Sequence, residues 1–167
     1  MGTMVMLIRM DLALLPLPPW QERQPDPPAS LTAAETAEIT RQKSPKGRVE
    51  AALKVAGLRV GQALLLSQRS EYPAATQQLE TFASLIDYAD GVTRAIPVET
   101  RNDRENCLKK IEQTIFRQLP RFESIIRDLP LESREASAPY AERVKRVRLQ
   151  AINDLLGGGS AIKVPEE

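Results

Sequence analysis

The sequence has no histidine and a single cysteine, Cys107. The first absence removes the commonest general acid–base side chain and the commonest transition-metal ligand. Zinc sites need cysteine and histidine in numbers this chain does not have. Histidine-based catalytic triads are excluded, and so is the Glu-x-x-His element of ferritin-like di-metal bundles. Cys107 cannot close an internal disulfide, and in an apolar-periodic segment it reads as a small packing residue. Aromatic residues are 4% of the chain, which disfavours strands. Charge of one sign is also missing: 23 basic and 22 acidic residues nearly cancel, so no global field steers the chain toward nucleic acid or anionic lipid. Unbroken apolar runs never approach the ~20 residues of a membrane-spanning helix.

What is present is helical. Ala, Leu, Glu, Gln, Arg and Lys dominate the 167 residues, a length that suits one domain with a core. Residues 16–28, "PLPPWQERQPDPP", hold six prolines in thirteen positions and read as an extended arm or linker. After it, Thr32 and Glu35 have capping-box spacing, which predicts a short helix over about 32–42. Ser44 as N-cap with Pro45 at the first helical position opens a second helix running to about Ser70. Val49, Leu53, Ala56, Val60 and Leu64 recur along it at helical spacing. A third stripe is Leu79, Phe82, Ile86 and Ala89, ended by Pro97. A fourth carries Leu108, Ile111, Ile115, Leu119, Phe122 and Ile126, and a fifth Tyr140, Val144, Val147, Ala151 and Leu155, ended by "GGG". Pro120 falls within the fourth stripe, where continuing periodicity predicts a kink rather than a break.

Long amphipathic helices joined by short turns cover one another most simply as a bundle. The expected fold is all-α: an up-and-down antiparallel four-helix bundle with a short leading helix. The expected organisation is a proline-rich arm at 1–29, the helical bundle at 30–157 and a flexible tail at 158–167. In the arm, "MVMLI" is cut by Arg9 and Asp11 before "LALLPLPP". That pattern is a degenerate export signal or a lead-in whose "PLPP" offers a polyproline ligand. Localisation stays open between the cell envelope and the cytoplasm.

Several groups carry possible chemistry. Gly57 and Gly61 stand one turn apart inside the second helix, each costing about 1 kcal/mol against alanine. Their spacing permits close approach of a neighbouring helix or a second subunit, and weak helical design is the bland alternative. Arg143, Lys145, Arg146 and Arg148 form a basic run, but Val144 and Val147 point to the core and no aromatics interleave, so the run reads as a solvated face. Asp87, Asp90, Glu105 and Glu112 are carboxylates at helical spacing, and an Asp90–Arg94 ion pair is the simpler use of one of them. No catalytic, cofactor-binding or metal-ligating residue emerges, and no cofactor is implied. A Ser–Lys or Tyr–Lys mechanism stays open on residue types, and no motif points to one. Leu58, Leu65, Leu66, Leu85, Val92 and Ile96 lie beside or off the stripes and are expected as leftover exposed apolar surface.

"KSPKGRVEAALKVAGLRV" and, some fifty residues on, "CLKKIEQTIFRQLPRFESI" together resemble an uncharacterised family of helical bacterial proteins typical of acidobacteria. The resemblance spans roughly residues 31–157 and implies an export signal at the start; it implies no activity for any residue. The functional expectation is a non-catalytic structural or protein-interaction module that meets a protein partner or a second copy of itself. The alternative is a small-molecule-binding or regulatory helical bundle, with an enzyme third.

Overall fold

The computed structural model describes residues 24–97 and 100–157. The signal-like and "PLPP" segments and the tail after Gly157 lie outside them. Five helices follow in order: α1 (Ala33–Thr40), α2 (Pro45–Gln68), α3 (Tyr72–Arg94), α4 (Arg101–Asp128) and α5 (Leu131–Leu155). No strand occurs among the described residues.

Local chemistry sets the helix ends. Thr32 and Glu35 form the expected capping box, each side chain bonding the other's backbone N–H. The Ser44 hydroxyl accepts from the Gly47 N–H at 3.1 Å, with Pro45 opening α2. The α2–α3 turn closes as a Schellman motif. Glu71 N–H donates to Leu66 C=O at 2.9 Å and Ser70 N–H to Ser67 C=O at 3.0 Å. Ser70 pays for that turn with a φ of 62°, the left-handed region that glycine occupies freely. Helix α4 runs unbroken through Pro120, and α5 likewise through Pro139, so the Phe116 and Glu135 carbonyls lose their helical donors. Helix α5 begins at Leu131, nine residues before its apolar stripe; its first turn carries no apolar stripe residue and leaves Leu131 66% exposed.

The packing order departs from a simple up-and-down ring. Helix α2 packs on α3 and α4, and α5 packs on the same two helices. Helices α3 and α4 touch across the middle, and α2 and α5 do not meet. Cross-helix bonds give the directions. Lys110–Glu50 together with the approach of Gln118 to Gly57 aligns α4 parallel to α2, while Ser137–Thr76 and Arg143–Asp87 align α5 parallel to α3. Arg148–Glu112 and Lys145–Glu123 set α5 antiparallel to α4. Two αα-hairpins therefore stack with parallel helices as neighbours, and the short α3–α4 connection crosses the diagonal. Stripe counting gives the number of helices but carries no information on which of them become neighbours.

The core is built from the stripes. Val49, Ala56, Val60, Leu79, Phe82, Ile86, Ala89, Ile111, Ile115, Phe122, Val144 and Ala151 are fully buried. Leu85, Val92 and Ile96 are buried too, contrary to their expected exposure. Helix α3 touches α2, α4 and α5, so it buries a wider arc than one stripe supplies. Leu58 and Leu65 do remain exposed, while Leu66 is half-buried against the core.

Candidate functional site

The outer side of α2 carries two of the exposed large apolar side chains. Leu58 and Leu65 are 60% and 55% exposed, two turns apart on one face. Between them, a methyl group added at Gly61 would meet nothing within 4 Å; one added at Gly57, just before Leu58, would meet only Gln118 Nε2, at 3.8 Å. Among the described residues, therefore, no helix uses these glycines for close approach. Beside Gly57 a shallow groove of about 480 Å³ separates α2 from α4. Leu53 and Gly57 line it from α2, and Thr114, Arg117 and Gln118 from α4. The Lys110–Glu50 ion pair also borders it.

The basic run of α5 is mostly neutralised within the fold. Arg143 Nε donates to Asp87 at 3.0 Å, and Lys145 reaches Glu123 at 2.9 Å and Glu142 at 3.1 Å. Arg148 directs Nε and Nη2 to one Glu112 oxygen at 3.1 and 3.0 Å, and stacks 5.0 Å from the centre of the Phe116 ring. Arg146 is exposed and makes no ion pair among the described residues. These bonds tie α5 to α3 and α4, and little basic surface is left to meet phosphates.

The acidic residues are likewise spent on pairs. Asp90 meets Arg94 at 2.7 Å, as its spacing predicts, and Glu105 meets Arg101 at 2.7 Å. Among the described residues no group of three or more Asp, Glu, Cys or His side chains is placed to hold a metal ion. No described helix is long and apolar enough to cross a membrane. Cys107 is buried, and burial pushes its thiol above the ordinary value, with the Asp103 and Glu50 carboxylates adding to the rise against Thr93 and Lys110. A protonated, enclosed thiol is a poor nucleophile.

Two features were not anticipated from the sequence. Arg59 is 8% exposed, and its guanidinium bonds Glu35 of α1 and Gln78 of α3, the latter at 2.9 Å. Burial alone would raise the Glu35 carboxyl. The Thr32 backbone N–H and hydroxyl, together with Arg59, outweigh it and hold the pKa below the ordinary value. The signal for Arg59 was available: it falls in the same helical row as Val55, Ala52 and Ala63. The second feature is the end of the proline-rich arm, which lies on α3. Gln24 Oε1 accepts from Arg48 Nη1 at 2.6 Å, and Pro25 sits where a Gly91 side chain would project, 3.1 Å from an added methyl.

Comparison with protein-family models, with curated proteins and with solved structures finds no match to this chain.

Proposed function

We propose that the protein is a non-catalytic helical interaction module whose working surface is the outer face of α2. The observation that carries this reading is the pair Leu58 and Leu65, more than half exposed, flanking a Gly61 with open space above it. Exposed single leucines are ordinary, but two on one helical face around a glycine notch suit a second helix laid across them. The two interior glycines weaken α2 by about 1 kcal/mol each, and among the described residues no helix packs closely enough on them to recover that cost. A partner helix seated in the notch would.

A second copy of the chain is the partner that the face fits without further components. Burying what remains of each leucine contributes roughly 1–2 kcal/mol. Four leucines across a two-fold interface therefore give a gain comparable with the lower estimates of association cost, about 4 kcal/mol and upward. The association is weak: a net gain of up to about 4 kcal/mol corresponds to a dissociation constant near millimolar.

Light scattering of the full chain over a concentration series tests this. A molar mass that rises with concentration, and stays monomeric for Leu58→Glu and Leu65→Glu, supports self-association through α2. A strict monomer up to millimolar concentration removes the second copy as the partner.

A further inference from the structure

We infer that the face of α3 around Tyr88 and Gly91 is a seat for an extended, proline-containing peptide, which residues 24–28 of the chain occupy in this structure. The seat lies on α3 and is independent of the α2 face. Three observations carry the inference.

First, the fit is specific. Pro25 Cγ lies 3.1 Å from where a Gly91 Cβ would stand, and its Cβ and Cδ lie within 4 Å of the same point. Any side chain at Gly91 pushes against that ring. Pro25, Asp26 and Pro28 border a shallow groove of about 470 Å³ whose other wall is Ser84, Tyr88 and Arg143. Proline-rich segments dock in aromatic-lined grooves, and Tyr88 supplies an aromatic wall to this one.

Second, the arm is held by few directional bonds. Among the described residues no backbone–backbone hydrogen bond joins residues 24–30 to the helices; the turn bond from Leu31 N–H to Pro28 C=O, 3.2 Å, stays within the segment. Pro25, Pro27 and Pro28 have no N–H to give. The Arg48–Gln24 bond is the arm's one side-chain hydrogen bond to the bundle among those residues.

Third, the seat is incompletely paired. Tyr88 is 4% exposed, and its buried hydroxyl finds no acceptor among the described residues, Arg48 being able only to donate toward its oxygen; the buried Gln24 Nε2 has no partner among them either. Burial pushes the Tyr88 phenol above its ordinary value, with Arg48 opposing and Asp26 adding to the rise. The phenol is therefore protonated and carries an unused donor. An incoming peptide that places an acceptor over Tyr88 gains a bond the arm does not make, so the arm is a displaceable ligand held in place by its tether.

The test is fluorescence polarisation with a labelled synthetic peptide of residues 22–31, added to the full chain and to a full-length Gln24→Ala/Pro25→Ala variant. The tethered arm competes in the wild type, so the variant is expected to bind the peptide about tenfold more tightly. Adding Gly91→Val, or the milder Gly91→Ala, to that variant should abolish or weaken binding, with helicity checked by circular dichroism. No binding to either chain, with the fold intact, overturns the seat. Wild-type dimerisation that Gly91→Val removes, without peptide binding, overturns a partner peptide in favour of exchanged arms.

Discussion

The Phe82 and Phe122 rings lie 5.2 Å apart between centroids and tilt by 41°, which joins α3 to α4 across the diagonal of the fold. Both side chains are fully buried. The pair is a packing contact between the two hairpins, since one ring comes from each. Truncation of either to alanine is expected to destabilise the protein by about 3–5 kcal/mol. A double-mutant cycle by urea denaturation should return a coupling of about 0.5–1.5 kcal/mol beyond the separate losses. Additive losses would mean that the rings contribute only their separate burial.

The α2–α3 turn places a β-carbon where glycine is preferred. Ser70 holds φ at 62°, and its backbone and that of Glu71 complete the Schellman bonds. Its side chain is exposed. Ser70→Gly should therefore stabilise the protein by roughly 0.5–1 kcal/mol, a strain relief partly offset by the freer unfolded chain. A thermal midpoint that falls instead would show that the Ser70 hydroxyl, 3.3 Å from the Tyr72 hydroxyl, matters more than the backbone.

Features set by a few neighbouring residues were legible in the sequence. The Thr32/Glu35 box and the Ser44–Pro45 start depend on residues within one turn, and both occur where their spacing puts them. The core stripes were legible because each follows one period along one helix. Leu85 and Val92 were misplaced because a helix that packs against three others buries two stripes, and the second is visible only once the neighbours are known; Ile96 is buried just past the end of α3, where no helical stripe predicts it. The stacking of the hairpins was hidden for the same reason. Gly91 looked like any interior glycine; its purpose depends on Pro25, which is remote in sequence.

Glu35 makes α1 sensitive to acid. Its folded pKa lies below the ordinary value of 4.5, so ionised Glu35 contributes stability that is complete above that pH and is lost as pH falls through the folded value. Arg59, almost fully enclosed, then faces a neutral acid. Glu35→Gln should remove this part of the pH dependence and cost about 1–3 kcal/mol at neutral pH. Urea midpoints measured from pH 7 to pH 3 for both chains check it; parallel curves would show that Glu35 is not responsible.

Cys107 should be inert while the protein is folded. Its raised thiol pKa and complete burial both withhold the thiolate that alkylating agents attack. Iodoacetamide at pH 8 should label it at least about a hundredfold more slowly in the native protein than in denaturant, at a rate set by local opening. Mass spectrometry over a time course gives the ratio, and rapid native labelling would place the thiol at an accessible edge of α4.

Gly61 separates two uses of α2 by the sign of a single substitution. In an isolated chain, Gly61→Ala adds a methyl group to open space and raises helix propensity, so it should stabilise the monomer by about 1 kcal/mol. If a second copy lays a helix across the notch, the same methyl stands in the interface and lowers the association constant by roughly tenfold or more. Thermal unfolding at low concentration isolates the first effect, and sedimentation at high concentration isolates the second. A stabilised monomer with unchanged association would leave Leu58 and Leu65 as the contact and remove the glycine notch from it.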